Sequence, residues 1–257
     1  MGRTSAPLAI LMPVGPDCDS GFVADTIASV RHYLGADTPF LVVDNSRRSL
    51  VAQAFAPDPA LEILTIDHPQ GRLGALWTIL ARGMKRLRER HDPEVLLRID
   101  TDALVTGASL IAQARARFDA EPSLAVLGAY RVSATGGPRD FSTSADALRR
   151  AAARDDAIGQ RMSRAIVRAE TLGYEVGEHV LGGVCLYHRR ALDALDADGL
   201  FDDVDLGACG VSEDVLFGLF LRAAGLSRGL SASPGQPLGA NWRGLRGTPV
   251  ALVEQRR

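Results

Sequence analysis

The sequence predicts an α/β fold in which helices flank a mixed, mainly parallel β-sheet within a single domain. Short apolar runs alternate with segments of helical periodicity through the first hundred residues. This pattern is typical of parallel strands joined by right-handed crossovers. The strand-like runs are rich in apolar and β-branched residues, as strands covered on both faces are. A length of 257 residues suits one large domain with a sizeable core.

Four strands and two helices are predicted before residue 108. Pro13 lies near the end of the first strand, where its missing N–H is tolerated. The helices are predicted from apolar residues that recur every three or four positions. The predicted strands span 8–14, 40–43, 61–66 and 95–102, and the predicted helices span 22–34 and 71–90.

The second half of the sequence departs from simple alternation. One predicted helix begins near residue 108, and three others span 144–172, 189–195 and 212–224. The predicted strands span 124–130 and 182–187. The loop 133–141 and the tail from residue 231 onward are rich in glycine and proline, and we predict no regular element there.

Composition excludes several classes of protein. A net charge of −2 provides no basic field for nucleic acid or an anionic membrane. The cysteines Cys18, Cys185 and Cys209 are far apart and lack metal-type spacing, so reduced thiols are expected. No signal peptide is evident, and no apolar run approaches the roughly 20 residues that a transmembrane helix needs. We therefore expect a cytoplasmic protein without a transmembrane segment.

The fourth predicted strand begins at Val95 and ends in two aspartates. Side chains alternate along an extended chain, so Arg98, Asp100 and Asp102 are expected on one side. The carboxyl ends of strands in open α/β sheets form the ligand-binding crevice. Carboxylate oxygens at that edge suit a hard divalent cation, which can bridge to a diphosphate. The alternative is a pair of acids that cap a turn or a helix.

Two common nucleotide-binding signatures are absent from the sequence. No G-x-G-x-x-G opens the first helix, and no G-x-x-x-x-G-K-[ST] occurs. These absences argue against a hydride-transferring dehydrogenase and against a P-loop ATPase.

Four stretches taken together resemble the GT-A-fold glycosyltransferases, and the similarity is greatest to inverting glycosyltransferase family 2. They lie between about residues 8 and 226 and read LAILMPVGPD, FLVVDNS, LLRIDTD, and GGVCLYHRRAL followed by VSEDVLFGLFLRAAG. The resemblance implies a GT-A (Rossmann-like) fold with a nucleotide-binding half over 1–107 and an acceptor-binding half over 108–257. It also implies transfer of a sugar from a nucleotide-sugar, with a UDP-sugar favoured, to a hydroxyl acceptor with inversion.

The resemblance also implies a donor side to the site. Asp100 and Asp102 would hold Mn²⁺ or Mg²⁺ against the donor diphosphate. Asp100 would also bind the nucleotide at its ribose, together with Pro13 and Asp44. The Asp44 carboxylate can accept the N–H of uracil, thymine or guanine. Its alternative role is an Asx-turn with the two residues that follow. Arg72 can present its planar fork to phosphate, as can Arg98, although a solvated or structural arginine is the alternative for both.

The acceptor side is expected around residues 182–183 and 213–214. Gly182 and Gly183 lack side chains where the backbone approaches a sugar, or else form a bulge or tight turn. The resemblance implies Asp214 as the general base and Glu213 as a residue that binds or orients the acceptor. Alternatively, both acids only complement a helix dipole behind an N-cap at Ser212.

Two positions near the C-terminus complete the prediction. Trp242 can stack on a sugar ring or pack in the core. Many GT-A enzymes carry a C-terminal histidine as a third metal ligand, whereas the last histidine here is His188. We expect Asn241 or water in that place.

Three other functions remain open from the sequence. A retaining GT-A enzyme would not need Asp214 as a base. A sugar-phosphate nucleotidyltransferase would carry a glycine-rich loop with arginine and lysine after Val14, and that loop is absent. A non-catalytic module that binds nucleotide-sugars would not need both pairs of acids.

Overall fold

The structure is a computed structural model that describes residues 5–46, 51, 61–66, 75–133, 136–232 and 238–239. Seven strands within these ranges form one sheet, and two short strands form a second. The strands are β1 (Leu8–Val14), β2 (Phe40–Asp44), β3 (Leu61–Thr65), β4 (Val95–Ile99), β5 (Leu104–Val105), β6 (Leu124–Gly128), β7 (Val184–His188), β8 (Ser227–Leu230) and β9 (Leu238–Gly239).

The large sheet has the strand order β3-β2-β1-β4-β7-β6-β8. The pairs β3–β2, β2–β1, β1–β4 and β6–β8 are parallel, whereas β7 runs antiparallel to both β4 and β6. The predicted mixed, mainly parallel sheet is therefore confirmed. The strands β5 and β9 pair separately and antiparallel.

Helices cover both faces of the large sheet. They are α1 (Ser20–Leu34), α2 (Ala75–His91), α3 (Leu110–Ala120), α4 (Ser142–Ala152), α5 (Ala157–Thr171), α6 (Arg189–Ala197) and α7 (Glu213–Ala223), with a 3₁₀ turn at Asp205–Cys209. Buried residues of α1 and α3 belong to the core on one face, and those of α2 and α4 to α7 belong to the core on the other. Burial of both faces explains why the central strands are apolar without alternation.

The predicted helix 144–172 is wrong as a single element. The chain turns between α4 and α5, where the Asp156 carboxylate accepts a hydrogen bond from the amide of Gly159 at 2.8 Å and caps α5. A Cβ on Gly159 would lie 2.0 Å from the carbonyl oxygen of Arg154. The turn between the two helices therefore requires glycine. Asp156, an aspartate within the predicted helix, instead caps the start of α5 and ends the helical pattern of 144–172 there.

The strands β5, β8 and β9 were not predicted, and β9 lies in the tail where no regular element was expected. The β8 strand, Ser227–Leu230, carries only one strongly apolar residue, so its sequence lacks the signal of a buried strand. Parallel pairing with β6 defines it instead. The predicted strand 182–187 begins two residues later, at Val184, which leaves Gly182 and Gly183 in the turn that precedes it.

The direction of β7 positions the site. Because β7 is antiparallel to β4, its first residue pairs with the last residue of β4, Val184 with Ile99. Residues just before β7 therefore lie beside residues just after β4, at the edge where the parallel strands end.

Candidate functional site

The D-x-D aspartates lie in a turn rather than on a strand. The amide of Asp100 donates to the carbonyl of Gly183 at 2.8 Å, and the amide of Ala103 donates to the carbonyl of Asp100 at 3.2 Å. The chain therefore folds back on itself as soon as β4 ends. The expected continuation of the strand to Asp102 is therefore wrong. Arg98 and Asp100 do share one side, 3.5 Å apart, and both aspartates remain at the predicted edge of the sheet.

Helix α1 holds this turn from below. The hydroxyl of Thr26 is fully buried and lies 3.0 Å from the carbonyl oxygen of Thr101 and 2.9 Å from that of Ala103. The Cys18 thiol donates to the Thr101 hydroxyl at 2.9 Å. These contacts tie the residue between the two aspartates to the body of the protein and fix the backbone that carries both carboxylates.

Arg98 lies beneath the turn and contacts acids from both sides of the site. Its side chain is 1% exposed, and its Nη2 donates to Glu213 Oε1 at 2.8 Å and lies 3.5 Å from Asp100 Oδ1. Glu213 is the first residue of α7, so this guanidinium joins the end of β4 to the start of α7. Among the two alternatives from the sequence, a structural arginine rather than a solvent-facing phosphate ligand describes its position.

Asp100 has an unusual electrostatic environment. Burial raises the pKa of its carboxyl to about 7, and Glu213 and Asp102 add to this effect against the opposing charge of Arg98. One oxygen, Oδ1, is buried and accepts no hydrogen bond, while 33% of the side chain remains exposed. A carboxylate with an unsatisfied oxygen and an open side is suited to binding a cation.

Gly182 passes directly over the Arg98–Glu213 ion pair. A Cβ at this position would lie 2.7 Å from Arg98 Nη1 and 2.8 Å from Glu213 Oε1. At Gly183 the nearest atom to a Cβ would be Asp100 Oδ2, at 3.6 Å, which is an ordinary contact. The structure thus gives Gly182 a packing reason for lacking a side chain, separate from the predicted approach of a sugar.

Asp214 lies at the N-terminus of α7 with both oxygens hydrogen-bonded. Oδ1 accepts from the Ser212 hydroxyl at 2.6 Å and the Val215 amide at 2.9 Å, and Oδ2 accepts from the Gly182 amide at 3.1 Å. Burial opposes ionisation, but the neighbouring His179, the hydrogen bonds from Ser212 and Gly182 and the charge of Arg98 outweigh it, so the pKa of Asp214 lies below its ordinary value. The carboxylate is therefore ionised at neutral pH.

Ser212 does not cap α7 as expected. It occupies the N-cap position, but its side chain makes no capping hydrogen bond and donates its proton to Asp214 instead. The serine is therefore part of the environment of the acid.

His179 lies beside Asp214, with Nε2 3.5 Å from Asp214 Oδ2, and Arg139 contacts His179; neither was predicted as part of the site. Arg139 Nη2 lies 2.6 Å from His179 Nε2, and His179 Nδ1 lies 2.8 Å from the carbonyl oxygen of Gly177. A guanidinium can only donate, so Nε2 must be the acceptor and Nδ1 must carry the proton. Burial lowers the pKa of His179, in agreement with a neutral ring.

Arg139 also anchors the glycine-rich segment 136–141. Its Nη1 donates to the carbonyls of Ala129 and His179 at 2.6 and 2.7 Å, and the segment pairs back through a Val132–Pro138 bridge. The segment therefore forms one arm of a hairpin beside the site, where the sequence had indicated an irregular loop. These contacts join residues that are distant in the sequence, and a lone arginine in a glycine-rich segment carries no local signal that predicts them.

Asp44 lies at the end of β2, as predicted, but it is fully buried. Its Oδ1 accepts from the Ser46 amide at 2.9 Å and its Oδ2 from the Val51 amide at 3.0 Å. The first of these bonds is the Asx-turn that the sequence left open. Contact with a nucleotide base stays a prediction for this residue.

The remaining predicted residues are dispersed. Pro13 is buried in β1, paired with Val43 beside Asp44. Arg72, Trp242 and Asn241 lie outside the described residues. His188 ends β7 opposite Val95 and accepts a hydrogen bond from the Arg190 amide at 3.1 Å. It is therefore at the other edge of the sheet from Asp100.

The capacity for metal at this edge rests on Asp100 and Asp102. Across the part of the chain that the structure describes, no three His, Cys, Asp or Glu side chains come together as a potential metal site. Two carboxylates, one with an unsatisfied oxygen, fit a cation whose other ligands come from a diphosphate and water.

Open space borders the donor-side acid. A pocket of about 70 Å³ is lined by Asp102, Ala103, Ala129, Leu181, Gly183, Val184 and Ala232. The pocket is mostly apolar apart from the carboxylate, so it can accept a small group of a ligand held at this edge.

Within the described residues, no helix combines the length and hydropathy needed to cross a membrane.

Comparison with known proteins identifies the fold. No protein-family model matches the sequence, and no curated protein matches it significantly. The mannosyltransferase PcManGT from Pyrobaculum calidifontis, solved with GDP-Man and Mn²⁺, aligns with a TM-score of 0.51 and 15% identity over 90% of this chain and 58% of its own. The chain thus spans little more than half the length of that enzyme.

Two further solved structures align more weakly. TarS 1–349 from S. aureus has a TM-score of 0.47 and 14% identity over 84% of this chain and 54% of its own. The bifunctional glycosyltransferase WbbM has a TM-score of 0.43 and 12% identity over 88% and 38%. At such identities a structural likeness concerns the fold alone, and of these three structures only PcManGT is similar enough to support the fold assignment. The predicted GT-A-type fold is confirmed by that likeness and by the sheet topology.

Proposed function

We propose that this protein is a glycosyltransferase that moves a sugar from a nucleotide-sugar donor to a hydroxyl acceptor. One observation carries the proposal. The acids that follow β4, Asp100 and Asp102, and the acids that begin α7, Glu213 and Asp214, lie at one edge of the sheet. Arg98 links Asp100 to Glu213, and the amide of Gly182 donates to Asp214. Sugar transfer needs this division between a leaving group on one side and an acceptor hydroxyl on the other.

The donor side consists of Asp100 and Asp102. In the proposal they hold Mn²⁺ or Mg²⁺, and the 33% of the Asp100 side chain that is exposed leaves room for such a contact. When bound, the cation supplies Lewis-acid stabilisation of the departing nucleoside diphosphate. The turn clamped by Thr26 keeps the two carboxylates in place before the donor arrives.

The acceptor side is assigned to Asp214, with Glu213 as the residue that binds or orients the acceptor. Asp214 would receive the proton of the acceptor hydroxyl as its oxygen attacks the anomeric carbon from the face opposite the leaving diphosphate, which inverts that carbon. The side chains of Glu213 and Asp214 keep 11% and 12% of their area exposed, so an acceptor can reach them. The ionised state of Asp214 is the one that a base requires.

The nucleobase of the sugar donor is also part of the proposal. The sequence resemblance favours a UDP-sugar, whereas the mannosyltransferase of similar fold was solved with GDP-Man. Both nucleotides can present an N–H to a carboxylate such as Asp44.

A thermal-shift panel tests the proposal. UDP, GDP, dTDP and CDP are each added with and without Mn²⁺, because a ligand that binds only the native state raises its stability in proportion to affinity. We expect stabilisation by one diphosphate that depends on the ion. A nucleotide-sugar turnover assay with that base then separates an enzyme from a binding module. Stabilisation by no nucleotide under any condition would contradict the proposal.

NMR of the product determines the stereochemistry. An anomeric centre opposite to that of the donor supports the assignment of Asp214. A retained centre would remove the need for that base and favour a retaining enzyme.

A further inference from the structure

We propose that Arg98 is a positioning residue that holds the acceptor-side acid Glu213 and the donor-side acid Asp100 at a fixed spacing. This inference rests on the proposed function, since it assigns those acids to the two sides of one reaction. Its geometric part, a link between β4 and α7, can be tested in the ligand-free protein.

The contacts of Arg98 carry the inference. Its Nη2 lies 2.8 Å from Glu213 Oε1 and 3.5 Å from Asp100 Oδ1, and the side chain is 1% exposed. Nε and Nη1 are also buried and make no hydrogen bond in the structure. In the described residues the guanidinium therefore contacts only the two acids through its N–H groups, and it is too deeply buried to contact a ligand directly.

Gly182 completes the arrangement from above. Its missing Cβ leaves room for the guanidinium, and its amide donates to Asp214 Oδ2 at 3.1 Å. Its neighbour Gly183 accepts from the Asp100 amide at 2.8 Å. The same dipeptide thus covers the ion pair and touches an acid on each side of the site.

Stability is a weak explanation for such a pair. Moving a guanidinium and a carboxylate out of water costs much of what their attraction returns, and apolar side chains often stabilise an interior equally well. Here the arginine also leaves two buried donors unsatisfied, which adds to the cost. An ion pair that is costly for folding and that contacts both Glu213 and Asp100 is better explained by the orientation that it imposes on these two acids.

Arginine suits this role better than lysine does. Its rigid planar fork can point two N–H groups at separate acceptors, whereas an ammonium is a single point charge on a flexible chain. A displacement of the reacting groups by about 1 Å can lower a rate by about 10²-fold. Loosening Arg98 is therefore expected to affect turnover more than donor affinity.

The test compares Arg98→Lys with the wild type. We expect kcat to fall about 10- to 100-fold, with affinity for the nucleoside diphosphate and Mn²⁺ within about 3-fold of wild type. In the ligand-free protein, hydrogen exchange should be faster at residues 212–216 in the variant. Arg88→Met is the control: Arg88 also pairs with two acids, Asp193 and Asp196, but both belong to α6. This control should change neither kcat nor that exchange.

A second comparison covers the case in which Arg98→Lys does not fold. Arg98→Met combined with Glu213→Gln removes both charges of the pair and is compared with Glu213→Gln alone. A further fall in kcat of about 10-fold or more, or faster exchange at 212–216, supports the inference. Equal kcat and equal exchange in the two proteins overturn it.

The two proposals fail in different ways. Wild-type protein that binds no nucleoside diphosphate contradicts the proposed function, while the exchange experiment still tests the link. Wild-type protein that transfers sugar, together with an Arg98→Lys variant of near-normal kcat and unchanged exchange, contradicts only the role of Arg98.

Discussion

Gly182→Ala is the perturbation for which the structure gives the sharpest expectation. The added Cβ would lie 2.7 Å from Arg98 Nη1, 3.0 Å from Arg98 Nη2 and 2.8 Å from Glu213 Oε1. Real side chains do not approach this closely, so the ion pair or the backbone of residue 182 must move. The contacted atoms have little freedom, because Arg98 is buried and Glu213 begins a helix.

The magnitude follows from the cost of overpacking. An extra carbon in a closely packed site costs about 1–3 kcal/mol of unfolding free energy. In a chain of this size, each kcal/mol lowers the melting temperature by about 2–4 °C. If Arg98 positions the acids as proposed, turnover should fall as well, since the new methyl group pushes on both members of the pair.

Gly183→Ala is the matched control. Its Cβ would meet only Asp100 Oδ2 at 3.6 Å, and neither glycine has a left-handed backbone conformation. Replacing glycine by alanine where the backbone permits it stabilises a protein by about 0.4–1 kcal/mol. Urea denaturation of the two variants measures the difference. Equal unfolding free energies would refute the packing reasoning at Gly182.

Four further predictions concern the acids and the hairpin. Asp102→Ala should greatly weaken metal-dependent binding of the nucleoside diphosphate in calorimetry, with an unchanged circular dichroism spectrum; unchanged affinity would contradict the metal assignment. Asp214→Asn should lower kcat by about 10²- to 10⁴-fold. It should also destabilise the fold by about 1–3 kcal/mol, because the new amide group must point an N–H at a backbone or hydroxyl donor. Near-normal turnover would assign the general base to Glu213 or favour a retaining enzyme. Because the folded-state pKa of Asp100 is raised to about 7, its contribution to stability should fall as pH rises from about 4 to 7. The unfolding free energy of Asp100→Asn, measured by urea denaturation, should therefore depend less on pH over that range than that of the wild type. An identical pH profile would contradict the raised pKa. Hydrogen exchange at residues 136–141 should slow when diphosphate and Mn²⁺ bind, as expected of a segment that closes over a site; equal exchange in both states would count against closure.

Much of the donor side could be predicted from the sequence. The strand that ends at Asp44 and the strand before Asp100 are apolar apart from Asp44 itself and Arg98, and such runs predict buried parallel strands through local information alone. Parallel strands end at a common edge, so the acids that follow them were expected there. Asp102 and Asp100 are indeed at that edge, and they lie in a turn, which the sequence had left open as the alternative.

Local patterns could not identify the partners of those acids. Asp44 and Ser212 carry residue types that suit several hydrogen bonds, and only the surrounding chain decides which are made. The sequence therefore suggested a capping serine, while the structure directs its hydroxyl to Asp214.

The amino-acid sequence by itself determined the fold class, the order of the main strands and the placement of acids at strand and helix ends, because periodicity and capping act over a few neighbouring residues. The tertiary structure decided the direction of β7, the existence of β8 and the contacts of Arg98. These depend on which strands become neighbours in the sheet. Arg98 and Glu213 are 115 residues apart in the chain, and they meet only because β7 runs antiparallel to β4 and brings Gly182 and the start of α7 to the edge where β4 ends.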